Sequence, residues 1–375
     1  MTQQNPVSKN LLQAWQKTVL SLARMSKKQK EDPDLSGTIR KLARGERSKI
    51  LKLRDAFTSE RESLSYALLN SKENILAYLL GFHMPNVYRL LMSFRRLEKK
   101  WKWSLKNAQA KSLTVWDLGC GSGALSQFFM ERYAEDFESN RAYLYDTNSL
   151  LLETCKTGFE RLGLSNLKLF PRKVGLHALN TEPKVFPDEL VVIGLGYVWN
   201  ELERNPLARK NILDLIAHYR KHKAKMLVCV MEPGQDFASR SAMKLRDQLV
   251  LDQGFIPLYP CPHLKACPLL KKDKDWCYSE FSTEGFPKDS LYIDELMEID
   301  RTLIASSAFV FASPELFSTM QHVPKAQAVV VGRPKTKEGT GFSYLLCTPQ
   351  GEIEKGETVV SRGAVRLRGE AESTL

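Results

Sequence analysis

The chain has 375 residues, enough for one large α/β domain with additions or for two domains, and its 43% apolar and 26% charged residues lie near the globular average. That composition excludes wholesale disorder, a collagen-like repeat and a membrane-embedded protein, and no apolar run approaches the roughly 18 to 20 residues of a membrane span. Lys plus Arg number 55 against 43 acids, a net charge of +12, which makes a polyanion the first partner class to consider and a generic basic surface the alternative.

The opening segment contains no acid before Glu31 and carries Lys9, Lys17, Arg24, Lys27, Lys28 and Lys30. Such a pattern suits a mitochondrial transit peptide. Leu11, Trp15, Val19 and Leu22 also recur at helical spacing, which fits an amphipathic first helix equally well. No signal peptide is recognised, so the seven cysteines are read as reduced thiols or metal ligands rather than as a disulfide framework.

Up to about Lys111 the chain reads as helical. Ser71 caps a helix beginning at Lys72, Gly81 ends it, and Pro85 sits where the next helix starts. The stretch Arg89 to Lys111 holds Arg89, Arg95, Arg96, Lys99, Lys100, Lys102, Lys106 and Lys111 against the single acid Glu98, with Trp101 and Trp103 interleaved. Cations mixed with flat aromatics suit a phosphate backbone and unstacked bases. The alternative is a solvated helix face with two tryptophans packed on the next domain.

From Leu113 short apolar runs alternate with helical stretches: Leu113 to Leu118, Ala142 to Tyr145, Leu167 to Phe170, Leu190 to Leu195 and Lys225 to Met231. Strands in series with crossovers predict a doubly wound, Rossmann-type α/β sheet. Ala308 to Phe311 and Phe342 to Leu346 follow as two further strands after a long interruption.

Between the first strand and its helix lies Asp117-Leu118-Gly119-Cys120-Gly121-Ser122-Gly123. Alternating glycines let backbone approach a ligand where side chains would block it. The loop lacks the Gly-Lys-Ser/Thr of a phosphate-cradling loop and the Gly-x-Gly-x-x-Gly of a dinucleotide site. It resembles instead the cofactor loop of class I S-adenosylmethionine-dependent methyltransferases. That resemblance places Asp117 beside the cofactor's amino-acid end and Gly119, Gly121 and Gly123 on the floor. Asp146, ending the second strand, is positioned to accept both ribose hydroxyls; a glycine turn that binds nothing is the alternative. After the fourth strand, Gly196-Tyr197-Val198-Trp199-Asn200-Glu201-Leu202 has no proline clamp of the kind used for methylation of base nitrogens. Asn200 and Glu201 either face a substrate or start a helix, Cys229 reads as a small core residue, and no catalytic residue is assigned.

Five residues separate Cys261 from Cys267 and nine separate Cys267 from Cys277. Structural zinc usually wants cysteines two to four residues apart, whereas an iron-sulfur cubane accepts wider loops and often a proline after a ligating cysteine, as at Pro262 and Pro268. An iron-sulfur cluster is the expectation, with Cys347 as the fourth thiolate; zinc and unligated thiols are the alternatives. Four protein thiolates close the coordination shell, making the cluster structural or redox-sensing. Phe255, Tyr259 and Trp276 are candidates to shield it, and Lys265, Lys271, Lys272 and Lys274 surround it.

Taken in order, Asp117-x-Gly-x-Gly-x-Gly, Trp199-Asn200-Glu201-Leu202, Glu232-Pro233-Gly234, Cys261-Pro262-His263, Cys267-Pro268, Asp275-Trp276-Cys277 and Cys347 resemble the methyltransferase-like family associated with the small ribosomal subunit. Ala77-Tyr78-Leu79, Met84-Pro85 and Tyr88 resemble its helical lead-in, and Tyr278 departs from the family's usual His. The resemblance implies a methyltransferase fold, a [4Fe-4S] cluster on Cys261, Cys267, Cys277 and Cys347, S-adenosylmethionine at Asp117 to Asp146 with Asn200 nearby, and binding to small-subunit rRNA during maturation. The expected plan is a helical basic region over 1–111 and a methyltransferase-like domain over 112–375, with an iron-sulfur insert at 256–300 between the fifth and sixth strands. Cys347 on the last strand ties that insert back to the sheet. Two alternatives stand beside the assembly factor: an active rRNA methyltransferase, and a zinc-stabilised RNA-binding protein. No membrane partner is expected, a monomer is favoured, and the location is a bacterial cytoplasm or, alternatively, a mitochondrial matrix.

Overall fold

The computed structural model describes residues 7–23, 35–58, 66–299, 302–336 and 341–359. Arg24, Lys27, Lys28 and Lys30 of the opening lie outside the described residues. The chain forms two compact units, the first from 1–92, 112–176 and 282–304, the second from 93–111, 177–281 and 305–375. These units interleave along the chain. Among the described residues no helix is long and apolar enough to cross a membrane.

In the first unit β1 (Ser112–Leu118), β2 (Ser139–Asp146) and β3 (Leu167–Lys173) lie parallel in the order β3-β2-β1. Every residue of β1 is buried, which is why the strand reads as an unbroken run and not as an alternation. Helices Ala124–Tyr133 and Ser149–Leu162 make the crossovers. In the second unit β4 (Glu189–Gly196) pairs parallel with β5 (Lys225–Pro233) across helix Pro206–Lys221. β8 (Leu303–Ala312) runs antiparallel beside β5 and also pairs β6 (Ile256–Tyr259) and β7 (Ser279–Ser282). Parallel strands with helical crossovers, ending on an antiparallel strand, define a Rossmann-type α/β fold.

Two expectations about the sheets change. The cysteine-bearing segment follows a strand that the sequence reading missed, the short β6, whose second residue is Pro257. The final strands also do not join the main sheet: β9 (Val329–Thr336), β10 (Gly341–Cys347) and β11 (Ile353–Val359) form a separate antiparallel sheet, β11-β10-β9. Cys347 therefore ends a strand of that small sheet.

The lead-in helices also differ from expectation. Gly81 does not end a helix; Lys72–Tyr78 passes through a wider π turn, Leu79–His83, into Met84–Trp101. A π turn frees local backbone acceptors, which suits Pro85 with its missing N–H. A Cβ at Gly81 would stand 3.0 Å from Ile50 Cγ2, so the glycine serves close packing. Trp101 and Trp103 are 6% and 5% exposed, and the Trp101 indole donates to the Leu258 carbonyl at 2.8 Å. They are core residues and do not offer faces to stack on bases, so the packed-tryptophan alternative holds.

Candidate functional site

β1 and β2 end side by side, with Leu118 opposite Tyr145, so the glycine loop and Asp146 share the carboxyl edge of the parallel strands. Gly119 and Cys120 donate their N–H groups to the Tyr145 carbonyl at 2.8 and 2.9 Å. Gly121 N–H donates to Asp146 Oδ2 at 2.8 Å, and Asn148 N–H donates to Oδ1 at 2.8 Å. Gly119, Gly121 and Gly123 have φ of 78°, 52° and 81°, a region costly for residues with a Cβ.

The glycines do different work. A Cβ at Gly121 would meet only Tyr78 Oη, at 3.4 Å. At Gly123 it would stand 2.4 Å from Cys155 Sγ and 2.9 Å from Gln127 Nε2. Gly123 is therefore demanded by side chains packed behind the loop as much as by anything in front of it. Gly123→Ala is expected to destabilise the protein by about 2–4 kcal/mol through clash and left-handed strain. Urea unfolding measures this, and a loss below about 1 kcal/mol would mean that Cys155 and Gln127 give way.

Asp117 is 1% exposed and accepts the Ser126 N–H at 3.0 Å. Burial raises its pKa to about 6, against the pull of the Ser126 bonds, and the Asp146 charge adds to the rise. Asp146 is raised too, by burial, with backbone N–H bonds opposing. The Cys120 pKa is raised, first by the neighbouring Cys155 side chain and then by burial. Cys229 is fully buried in β5, as expected of a core thiol.

Residues that the sequence reading did not assign to the site reach the loop from the lead-in helices. His83, in the π turn and 2% exposed, lies with Nδ1 2.8 Å from Ser122 Oγ. Burial lowers its pKa to about 4, and its Nε2 has no partner among the described residues. The family-like Ala77-Tyr78-Leu79 and Met84-Pro85 motifs were the signals for this approach; His83 itself directly precedes Met84 and belongs to neither.

Asn200 lies in the second unit, 3% exposed, its backbone N–H donating to Glu232 Oε1 at 3.1 Å. Glu201 is exposed and opens the 3-10 turn Glu201–Arg204, so it starts a helical turn. In Glu232-Pro233-Gly234 a Cβ on the glycine would come within 2.9 Å of Ala305 Cβ, and Trp276 Nε1 donates to the Gly234 carbonyl at 2.9 Å. Packing accounts for that turn.

All four predicted cysteines lie in the second unit. Cys261, Cys267, Cys277 and Cys347 are 9%, 8%, 6% and 7% exposed. Burial first, and then mutual Coulomb interaction, raises them: Cys277 interacts with Cys261, Cys267 and Cys347, while Cys267 is pushed to about 11 and Cys347 to about 12. Cys261 is raised by burial and lowered in part by Arg246. The fully buried Arg246 donates to the His263 carbonyl at 2.6 Å, the Lys265 carbonyl at 2.5 Å and Asp247 Oδ1 at 2.6 Å. Asp247 in turn accepts the Cys267 N–H on both oxygens at 3.0 Å. His263 Nε2 lies 3.4 Å from Cys347 Sγ, and its Nδ1 lies 3.3 Å from Arg246 Nη2.

Four buried thiols that repel one another as thiolates fit a group that supplies compensating positive charge, and an all-cysteine donor set suits iron and sulfide. Among the described residues, no three Cys, His, Asp or Glu side chains are grouped so as to hold a metal ion. Phe255 and Tyr259 are buried and Trp276 is half-buried in the same unit, whereas Lys265, Lys271 and Lys274 are exposed.

Residues 139–368 match the model of a family described as mitochondrial small ribosomal subunit Rsm22. No curated protein matches the chain. Among solved structures, a putative class I S-adenosylmethionine-dependent methyltransferase from Listeria monocytogenes is 13% identical, with 82% of this chain and 88% of that chain covered and a TM-score of 0.37. The N-terminal domain of human METTL16 in complex with SAH is 13% identical over 60% of this chain and 69% of that chain, at a TM-score of 0.32. Precorrin-6y C5,15-methyltransferase from Geobacter metallireducens is 11% identical over 67% and 93%, at 0.31. Likenesses at these TM-scores add nothing to the topology described above. The family match spans most of the chain, from the start of β2 past the end of β11, and includes all four clustered cysteines: the chain belongs to the Rsm22 family.

Proposed function

We propose that the protein is an assembly factor of the small ribosomal subunit that binds its rRNA, holds S-adenosylmethionine at the glycine loop and carries a structural [4Fe-4S] cluster. What supports this reading is a Rsm22-family chain in which Cys261, Cys267, Cys277 and Cys347 are all buried within one unit, Cys277 near enough to feel the charges of the other three. Those four thiolates would hold the cluster, which when bound supplies a rigid cross-link. Arg246 neutralises charge beside Cys261, and Asp247 holds the Cys267 backbone in place. The wide intervals from Cys261 to Cys267 and from Cys267 to Cys277 favour a cluster over a single zinc ion.

In this reading Asp117 holds the ammonium end of the ligand and Asp146 accepts the ribose hydroxyls on lone pairs beyond those used by Gly121 and Asn148. This reading assigns no residue as a methyl-transfer base. The family is a mitochondrial one, which supports the matrix; the bacterial cytoplasm has no support from it. Labelled S-adenosylmethionine and small-subunit rRNA test the reading. Tight rRNA binding without label transfer is expected, whereas transfer lost in Asp117→Ala would make the protein an rRNA methyltransferase.

A further inference from the structure

We propose that a cleft of about 320 Å³ lined by Lys102, Trp103, Lys106 and Asn107, together with Thr319 and Gln321, binds one phosphate-bearing nucleotide unit of a single-stranded RNA segment. The proposal rests on the rRNA reading above and names the place on this chain where the backbone is held. The cleft lies within the second unit and has the size of a small-ligand site.

Its lining holds two cations and no acid. Lys102 and Lys106 are exposed and make no ion pair among the described residues. Trp103 is 5% exposed, yet its indole N–H has no acceptor among the described residues. A buried donor left unmade is costly, so a ligand acceptor at this wall is favoured. Lys102 and Gln109, both lining the cleft, have φ of 47° and 51°, a conformation rarely held by residues with side chains and one that recurs at ligand clamps. Lys225 Nζ donates to the Gln109 carbonyl and so braces that rim. Cations for a phosphate, a buried N–H for an ester or ribose oxygen, and side-chain amides for a base edge together form the chemistry of a nucleotide site. Only the indole is a large apolar surface, which disfavours a hydrophobic ligand.

The test uses the full chain, labelled oligouridylate, small-subunit rRNA and uridine monophosphate. Lys102→Gln/Lys106→Gln, at exposed positions, is expected to weaken RNA binding about ten-fold at 0.1 M salt and to flatten the slope of log K against log salt by about 1.4, since each phosphate contact on a single strand contributes about 0.7. Trp103→Phe, which keeps a ring but removes the N–H, is expected to weaken RNA binding about three-fold or more with its circular dichroism unchanged. If the parent binds RNA and the double variant binds it equally well with the same slope, the cleft assignment is overturned while the RNA reading stands. If the parent binds no RNA, both fall. If uridine monophosphate binds the parent as tightly as oligouridylate and the double variant loses it, the site is one for free nucleotides and the RNA assignment is overturned.

Discussion

Cys347→Ser is expected to leave the protein, purified without oxygen, with at least about ten-fold less iron and sulfide than the parent, whereas Cys229→Ala keeps its full complement. Serine is nearly the size of cysteine and can stay at the end of β10, but its hydroxyl is a poor ligand for iron in place of a thiolate. In the proposed cluster the other three ligands come from the segment Cys261 to Cys277, so Cys347 would fasten the small antiparallel sheet to that segment. Because ligation free energy is also folding free energy, the variant's melting temperature should fall by more than about 5 °C. A colourless parent containing zinc would sink the cluster. Full iron retention in Cys347→Ser would keep the cluster but reassign the fourth ligand, with His263 the first candidate, since its Nε2 stands 3.4 Å from that sulfur.

How much of this was legible depends on what each residue had to satisfy. The strands β1, β4 and β5 were readable because both faces are covered and burial runs through the whole strand. β6 escaped because it is four residues long and contains a proline, and β11 because Ile353–Val359 alternates charge with little apolar content. The cysteines stood out through their spacing and the prolines after two of them, a pattern that favours a cluster over zinc or unligated thiols. Arg246 was not, because a buried arginine on the helix Asp236–Asp247 looks in sequence like any basic residue near a helix end. The tryptophans misled for a similar reason: a Lys-Trp-Lys-Trp string says nothing of which side of the helix end faces the core. Trp101 and Trp103 turned inward, and the neighbouring lysines stayed outside.

His83 and Asp117 should give the first unit two opposed pH responses, unmasked one at a time by substitution. Asp117 has its folded pKa raised from 3.8 to about 6, so the unfolded chain releases that proton first and stability falls as pH rises from about 4 to about 6. His83 has its folded pKa lowered from 6.5 to about 4, so the unfolded chain takes up that proton first and stability falls as pH drops from about 6.5 to about 4. Each shift is about two units, worth about 3 kcal/mol at 1.36 kcal/mol per unit, and over most of the shared window the two slopes cancel. Asp117→Asn removes the first: urea unfolding should show a protein up to about 3 kcal/mol more stable at pH 7 whose stability now rises with pH between about 4 and 6.5. His83→Gln removes the second and should show stability falling with pH across about 4 to 6, a fall to which the raised Asp146 adds. Slopes of the same sign in both variants would mean that the two groups do not titrate in this way. The penalty at Asp117 is also the link to its proposed ligand. A cationic ammonium beside this carboxylate favours its ionised form, so S-adenosylmethionine bound there would relieve the cost that burial imposes. Affinity should therefore rise with pH through about 6 in the parent, with proton release on binding below that pH, and be weaker and flat in Asp117→Asn. Calorimetric titration at pH 5 and pH 8 separates this from a carboxylate that serves only to hold the Ser126 N–H, for which the affinity of the parent would not change with pH.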